Sequence, residues 1–364
     1  MNPQSDGFVR HGTDVETLWA DDVPYVTPNE RFFVRNHTRP PPIDGTSWRL
    51  LVGGDGVTRE ASYSLDELKE LGATTLECAL ECTGNGRRYF AEQQGIRRPG
   101  TQWGTGAVGL ARWTGVPLGT VLQHTGLARS VCQVMGVGLD EPYVEDGVDH
   151  GRVRRPLPID KALDDVLVAW EMNGVELPAD HGYPARLVVP GWVGIASIKW
   201  LGSLQVSTAE MISPWNTRWY RMSGKGRTGA EPPLTRMPVK STLDAVDQPE
   251  VGRYSQLRGR AWSGEASVAY VEVSTDGGET WDEAVLTGDN RKSCWVGWEF
   301  GWIPRTSGRH DVLVRATDSD GRRQPERAAD NDHGYLFDAV LRYRVSVEAG
   351  GQVVAGTTRT GPRR

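Results

Sequence analysis

Thr75-Leu-Glu-Cys-Ala-Leu-Glu-Cys-Thr-Gly-Asn-Gly-Arg87 is the stretch on which the reading of this chain turns. Cys82 stands in a glycine-flexed loop with Arg87 close behind it. Gly84 and Gly86 allow positive φ and a close approach of backbone to a bulky group, and Arg87 supplies a positive field that favours thiolate over thiol. Such a thiol suits a soft, high-valent metal centre. The competing reading is packing, because unpaired cysteines are commonly buried as small hydrophobes, and Cys78 and Cys82 would then share one face of a helix. A structural zinc site needs a second Cys/His pair at similar spacing, whereas Cys132 and Cys294 stand alone.

Working outward, 364 residues exceed one compact core and imply two domains. A hydrophobic content of 38%, a charged content of 24% and 14 Trp describe a globular chain. The net charge of −6 argues against nucleic-acid binding, although a local arginine cluster can still capture a small anion. No apolar run is long enough to span a membrane. Met1-Asn-Pro-Gln-Ser-Asp6 has neither a basic n-region nor a twin-arginine signal, which places the chain in the cytoplasm, or in the periplasm had a signal been trimmed. Four scattered cysteines do not form a disulfide framework and agree with a reducing compartment.

The first two thirds mix helix and strand signals, an α+β arrangement. Ser64-Leu-Asp-Glu67 is a capping box ahead of a helix through Leu65, Leu68 and Leu71, with Gly72 as its stop. Further helices are expected over Leu118 to Gln123, ending near Gly126, and around Lys161 to Leu163. Strands are expected at Val131 to Val137, Val166 to Trp170, Arg186 to Val189 and Ile198 to Val206. Met222 to Pro238, rich in Gly, Pro and basic residues, reads as a linker. Beyond it, Val271 and Val273 alternate with polar residues before Asp276-Gly-Gly278, and Tyr343, Val345 and Val347 alternate likewise. This spacing fits an all-β immunoglobulin-like sandwich of roughly 110 residues. The expected division is 1–235, 236–348 and a loose tail over 349–364.

Several segments together carry a resemblance. They are Arg31-Phe-Phe-Val-Arg-Asn-His37, Glu81-Cys-Thr-Gly-Asn-Gly-Arg87, Gly104-Thr-Gly-Ala-Val108, Ala111-Arg-Trp-Thr-Gly-Val-Pro117 and Trp170-Glu-Met-Asn-Gly174. Then follow Asp180-His-Gly-Tyr-Pro-Ala-Arg186, Val189-Pro-Gly191, Ile198-Lys-Trp-Leu201, Ala261-Trp-Ser-Gly264 and Ser274-Thr-Asp-Gly-Gly-Glu-Thr-Trp281. Each is weak alone, but in this number and order the chain resembles the sulfite oxidase family of molybdenum enzymes. The resemblance implies a molybdopterin-binding domain followed by an immunoglobulin-like dimerisation domain, and hence a homodimer.

What the resemblance implies for Cys82 is coordination of molybdenum beside the dithiolene of one molybdopterin per chain. Thiolates suit a soft metal that cycles between oxidation states. Arg35 and Arg87 match the arginines of an anion pocket, where a planar guanidinium fork fixes an oxyanion, and Tyr220 matches an active-site tyrosine. Asn36, His37, His181, Arg186 and Lys199 match positions that hold the pterin and its phosphate, and Asp140 is placed at the pterin. Three departures stand out: Ala196 where relatives often carry arginine, Pro156 where many carry serine, and Trp219 in place of an acidic residue common in the animal enzymes. In some relatives a second-domain arginine also reaches the pocket; Arg305, Arg309 and Arg315 are the candidates.

The implied activity is oxidation of sulfite to sulfate by oxygen-atom transfer. No Cys-x-x-Cys-His haem motif occurs, so the expectation is a haem-free enzyme that passes electrons to an external acceptor, a cytochrome or oxygen. The alternatives are a molybdenum enzyme acting on nitrate, a sulfoxide or an organic sulfur compound, and a non-catalytic binding protein with a structural cysteine loop.

Overall fold

The computed structural model describes residues 7–19 and 24–350, so most of the tail expected to be loose lies outside the described residues. The first part of the chain contributes strands β1 Phe8–His11, β2 Asp14–Thr17, β3 Leu50–Gly53, β4 Ala61–Tyr63, β5 Thr74–Glu81, β6 Val108–Pro117 and β7 Gln133–Gly138. They continue as β8 Val144–Glu145, β9 Val148–Asp149, β10 Arg154–Pro158, β11 Leu167–Met172, β12 Val175–Glu176, β13 Arg186–Val188 and β14 Leu201–Ser207. Between them lie helices α1 Leu65–Glu70, α2 Arg88–Gln94, α3 Leu118–Thr125 and α4 Ile159–Asp164, with α5 Pro214–Thr217 after β14.

Two sheets organise this part. One runs β10-β7-β14-β3-β4 and the other β12-β11-β6-β5, with β13 joined to β11. The first sheet packs with α1 and α3 around Leu50, Leu68, Leu118, Leu122, Val134 and Leu204, all essentially without solvent contact. Each such side chain stabilises the fold by roughly 1.5–3 kcal/mol relative to exposure. The capping box forms as expected: Ser64 Oγ accepts from the Glu67 amide at 3.2 Å, and the Glu67 carboxylate accepts from the Ser64 amide at 2.7 Å. Gly72 follows with φ +104°.

β5 is the strand that positions the site. It starts exposed at Thr74 and Thr75 and ends buried from Cys78 to Glu81, pairing antiparallel with β6. Cys78 and Cys82 therefore do not share a helix face as the packing reading supposed. Cys78 lies within a strand, fully buried, and Cys82 is the first residue past the strand's buried end. The expected strand from Ile198 starts only at Leu201, because a 3-10 turn at Gly194–Ala196 and Trp200 at φ +51° break extension ahead of it.

From residue 240 the chain is all β: β15 Lys240–Val246, β16 Ser255–Trp262, β17 Val268–Ser274, β18 Asp282–Thr287, β19 Trp295–Trp302, β20 Gly308–Asp318 and β21 Leu341–Val347. They follow one hydrogen-bonded order, β15-β16-β19-β18-β17-β20-β21. The two halves face each other over Leu257, Val271, Val296, Trp298 and Val314. β18 pairs with both β17 and β19, so the sandwich closes along one side into a nearly complete barrel.

The two parts share core. Ala79, Val108 and Leu110 pack with Met237, Trp262 and Trp295, and Phe90 of α2 packs with Phe337 and Leu341. The end of the expected linker is thus docked: the Val193 amide donates to the Thr235 carbonyl at 2.6 Å and the Met237 amide to the Gly191 carbonyl at 2.9 Å. Gly191 and Gly264 meet at this seam, and a Cβ on Gly264 would sit 2.3 Å from the Gly191 carbonyl oxygen and 2.8 Å from that of Met237. Both obstacles are backbone. Gly264→Ala is therefore expected to destabilise the protein by about 3 kcal/mol, the upper range for overpacking, read as a lower urea midpoint with an unchanged slope.

Candidate active site

The sharp turn after β5 is held by backbone hydrogen bonds, within itself and to the residue before β6. The Cys82 amide donates to the Ala107 carbonyl at 2.9 Å, and the Asn85 amide donates back to the Cys82 carbonyl at 2.8 Å. The two glycines differ in their use. Gly86 takes φ +89°, whereas Gly84 is needed for space, since a Cβ there would lie 2.5 Å from an Arg87 guanidinium nitrogen.

Two adjoining cavities open on this turn, sharing Arg35, His37, Cys82 and Tyr220 in their walls. The larger in outline spans about 780 Å³, counting the open solvent at its mouth, and adds Asn36, Asp140, His181, Arg186 and Lys199. The smaller, about 620 Å³ on the same measure, adds Arg87. The first-domain residues singled out as catalytic or cofactor-binding from the sequence are therefore all brought to these two adjoining cavities, although segments as distant as residues 35 and 220 supply them.

The arginine cup is only partly compensated. Arg87 donates from Nε to the His333 carbonyl and from Nη1 to the Thr101 carbonyl, both at 2.8 Å. Arg35 donates to the Asn36 carbonyl and lies 3.6 Å from the Asp14 carboxylate. Burial raises the Cys82 thiol above its usual value, and Arg35 and Arg87 pull it only partly back. Arg87 thus favours the thiolate in the direction expected, but burial outweighs its pull. Cys78 is pushed higher still by burial, as an inert packing thiol would be.

Tyr220 sits in the left-handed region at φ +57°, an uncommon position for a bulky residue. Its backbone carbonyl accepts from the Leu234 amide at 2.7 Å, its ring stacks on Tyr335 at 5.2 Å, and its hydroxyl lies 3.3 Å from His37 Nε2. Burial raises Tyr220 far above the ordinary tyrosine value, so the hydroxyl stays protonated. Desolvation lowers His37 well below its ordinary value, and lowers His181 to about 3, so both imidazoles are neutral near pH 7.

The cofactor candidates divide by what already occupies them. Lys199 Nζ donates to the carbonyls of Arg35 at 3.1 Å and Asp180 at 2.8 Å and to the Asn36 side chain. Arg186 donates to the carbonyls of His181 at 2.8 Å and Ser197 at 3.0 Å, lies over Trp113 and is lowered to about 9 by burial. These two cations knit the turns of the cavity wall together. By contrast Asp140 Oδ1 and Thr83 Oγ1, both in the larger cavity's wall, are buried without a hydrogen-bond partner. Ala196 is fully buried and Pro156 lies within β10, so neither departure offers a polar group there.

None of the three second-domain arginines lines either cavity. Arg315 is paired with Glu272 at 2.8 Å, and Arg305 and Arg309 are exposed. His333 and Tyr335 reach the smaller cavity instead, with Tyr143, Trp219 and Thr101 around them. Of these the sequence reading named only Trp219; it missed the others, and also Asp14, whose carboxylate accepts from Thr101 Oγ1 at 2.6 Å, and Arg155, which lies 5.8 Å from the Tyr220 ring. The cluster His333-Gly-Tyr335 carries no strand or helix periodicity that could have marked it.

This geometry, a thiol at a buried turn with a polar cavity on one side and a cationic cup on the other, stands in a chain whose two parts match the domains of a molybdopterin-binding oxidoreductase. Residues 37–215 match the oxidoreductase molybdopterin binding domain, and residues 235–349 match the Mo-co oxidoreductase dimerisation domain. The chain is 35% identical over 347 residues to "Sulfite oxidase, mitochondrial" of Mus musculus, covering 89% of this chain and 62% of that protein. It is 37% identical over 331 residues to "Sulfite oxidase" of Gallus gallus, covering 84% of this chain and 69% of that one. The structure of the sulfane dehydrogenase SoxCD from Paracoccus pantotrophus superposes with a TM-score of 0.80 at 25% identity, over 93% of this chain and 86% of that chain. The chain belongs to the sulfite oxidase family of molybdopterin-dependent oxidoreductases. It spans about 62% of the length of the mouse relative. Among the described residues no helix is long and apolar enough to cross a membrane.

The residues present fit a molybdopterin. A fused ring rich in N–H donors would satisfy the unpartnered Asp140 oxygen, and the cations of the cavity suit a phosphate. Burial raises Asp140 from 3.8 to about 6. A carboxyl whose folded value lies above its unfolded value favours folding fully below pH 3.8 and loses that contribution as pH rises through 6. The cofactor-free protein should thus lose about 3 kcal/mol relative to Asp140→Asn between pH 3.5 and 7. Paired denaturant titrations across that range measure the difference.

Proposed function

We propose that this chain oxidises a small sulfur oxyanion, sulfite in the first instance, to sulfate at a molybdenum centre bound through Cys82. The observation that supports this reading most is the juxtaposition in two joined cavities of one thiol, two guanidinium groups and a protonated tyrosine. Cys82, at the turn shared by both cavities, is the residue proposed as the protein ligand. When bound, the molybdenum cofactor supplies two-electron oxygen-atom transfer.

The chain's own residues do the rest. Asp140, Thr83, His181 and Asn36 would hold the pterin, with Lys199 and Arg186 lending positive charge to its phosphate end. Arg35 and Arg87 bind the anion and fix its orientation, since both guanidinium groups are already held by carbonyls and need little reorganisation. Tyr220 donates its hydroxyl proton as a hydrogen bond and keeps the substrate over the sulfur side of the cavity. Tyr143, Trp219 and Tyr335 exclude water from the cup. Electrons then pass to an external acceptor, a cytochrome or oxygen, from a homodimer in which residues 1–235 are catalytic and 236–348 dimerise.

A second reading, a less charged sulfur compound such as a sulfoxide or an organic sulfur species, is favoured by one observation. The second-domain wall of the cup is formed by His333 and Tyr335 rather than by an arginine. A substrate panel decides between them: sulfite-dependent reduction of ferricyanide or cytochrome c by molybdenum-loaded protein supports sulfite, and inertness to sulfite with turnover of an organic sulfur compound supports the second. Cys82→Ser should abolish turnover and remove one sulfur from the molybdenum shell seen by X-ray absorption. Arg87→Met should lower kcat/KM for sulfite about ten- to hundredfold, the loss expected for charge-assisted hydrogen bonds.

A further inference from the structure

The residue immediately before Cys82 is a buried carboxylate, and its partner comes from the other domain. Glu81 and Lys240 have side chains 2% and 8% exposed, and Lys240 Nζ lies 2.7 Å from Glu81 Oε1. Lys240 also donates to the Asn85 carbonyl at 3.0 Å. The second Glu81 oxygen accepts from Trp262 Nε1 at 3.1 Å, and the Asn85 amide side chain donates to the first at 2.9 Å. Asn85 Oδ1 in turn accepts from the Ala107 amide at 3.1 Å, beside the carbonyl that receives the Cys82 amide. The carboxylate and its donors form a closed set around the turn that carries the sulfur.

This set does not lie in either cavity, and nothing in the proposed reaction uses it. Lys240 opens β15 and Trp262 closes β16, two paired ends of the second domain. The same domain touches the turn twice more, through the Leu336 amide on the Thr83 carbonyl at 2.8 Å and through Phe337 against Gly86. Glu81 and Asn85 bracket Cys82 in sequence, so fixing both fixes the backbone from which the sulfur projects. Removing the lysine would leave a buried anion next to that sulfur.

We infer that Lys240, seconded by Trp262, is a positioning residue that holds the Cys82 turn, so that the second domain sets how the thiolate is presented to the metal. The inference rests on Cys82 being the metal ligand. The test uses the full-length holoenzyme and its cofactor-free form with Lys240→Met. Amide exchange in the peptide spanning residues 81–87 is expected to quicken at least tenfold in both forms, with peptides from β11 and β14 unchanged. The molybdenum–sulfur shell should become disordered by X-ray absorption, and kcat should fall at least tenfold while KM for the substrate moves less than threefold, because Arg87 keeps its separate carbonyl anchors.

Wild-type exchange and an unaltered metal–sulfur shell in Lys240→Met would overturn the proposal. Should that variant fail to fold, Trp262→Phe, which removes only one donor to Glu81, is read instead. A smaller change in the same direction supports the inference and no change in exchange or shell defeats it. Cys82→Ser measured alongside separates the two claims. Retention of the sulfur count there sinks the ligand assignment, and the exchange data alone then judge whether Lys240 holds the turn.

Discussion

Positive charge held out of water is the constraint from which the rest of this structure follows. Arg87, Arg155 and Arg186 are buried, Lys199 is enclosed by the larger cavity, and desolvation lowers all four from their ordinary values. Near them Asp14 is the carboxylate that offsets charge at the cup, and Asp140 is itself pushed toward its neutral form. Buried cations are tolerated only when hydrogen-bonded, and here backbone carbonyls do that task. The carbonyls of Thr101, His181, Ser197, Trp215, Leu234 and His333 all point at guanidinium groups. A carbonyl satisfies a donor but cancels no net charge, so the cavities favour an anionic occupant. Anything anionic that binds the folded state also stabilises it by mass action.

That requirement explains why the site is made of irregular backbone. Carbonyls inside β-sheets are already paired, so those free to face a cation belong to turns and strand ends. Strand β5 ends at Glu81, a 3-10 turn ends at His181, another precedes Ser197, and Trp200 and Tyr220 take the left-handed conformation. The sheets bring these turns together and their cores keep them fixed. Strain of this kind persists only where surrounding packing determines it, which the stack of Tyr220 on Tyr335 and the ladder contact to Leu234 provide.

Local signals were legible in the sequence and long-range ones were not. The α1 capping box, the glycine stops after α1 and α3, and the alternation in β17 and β21 each depend on neighbouring residues, and each is present. β5 was harder, because its inner half is buried on both faces and carries no alternation, leaving Cys78 and Cys82 open to a helical reading. The motif residues around Cys82 identified a family, and the cavities gather them. Yet the division of labour was hidden: nothing in the spacing says that Lys199 and Arg186 face carbonyls while one oxygen of Asp140 lacks a partner. His333 and Tyr335 were invisible for a plainer reason, since they meet Arg87 across more than two hundred residues of chain, and Asp14 because its partners Arg35 and Thr101 stand in separate segments.

The seam between domains is therefore part of the site rather than a junction beside it. Arg87 relies on a carbonyl at residue 333, Tyr220 on a ring at residue 335, and Glu81 on an ammonium group at residue 240. Each of these groups, deprived of its distant partner, would be a buried charge or a strained backbone with less compensation. The first domain alone could bury its own core around Leu50 and Leu118, but it could not hold the cup closed. A chain built this way links formation of its anion site to docking of the all-β domain, so selection for the chemistry and selection for the interface act on the same residues.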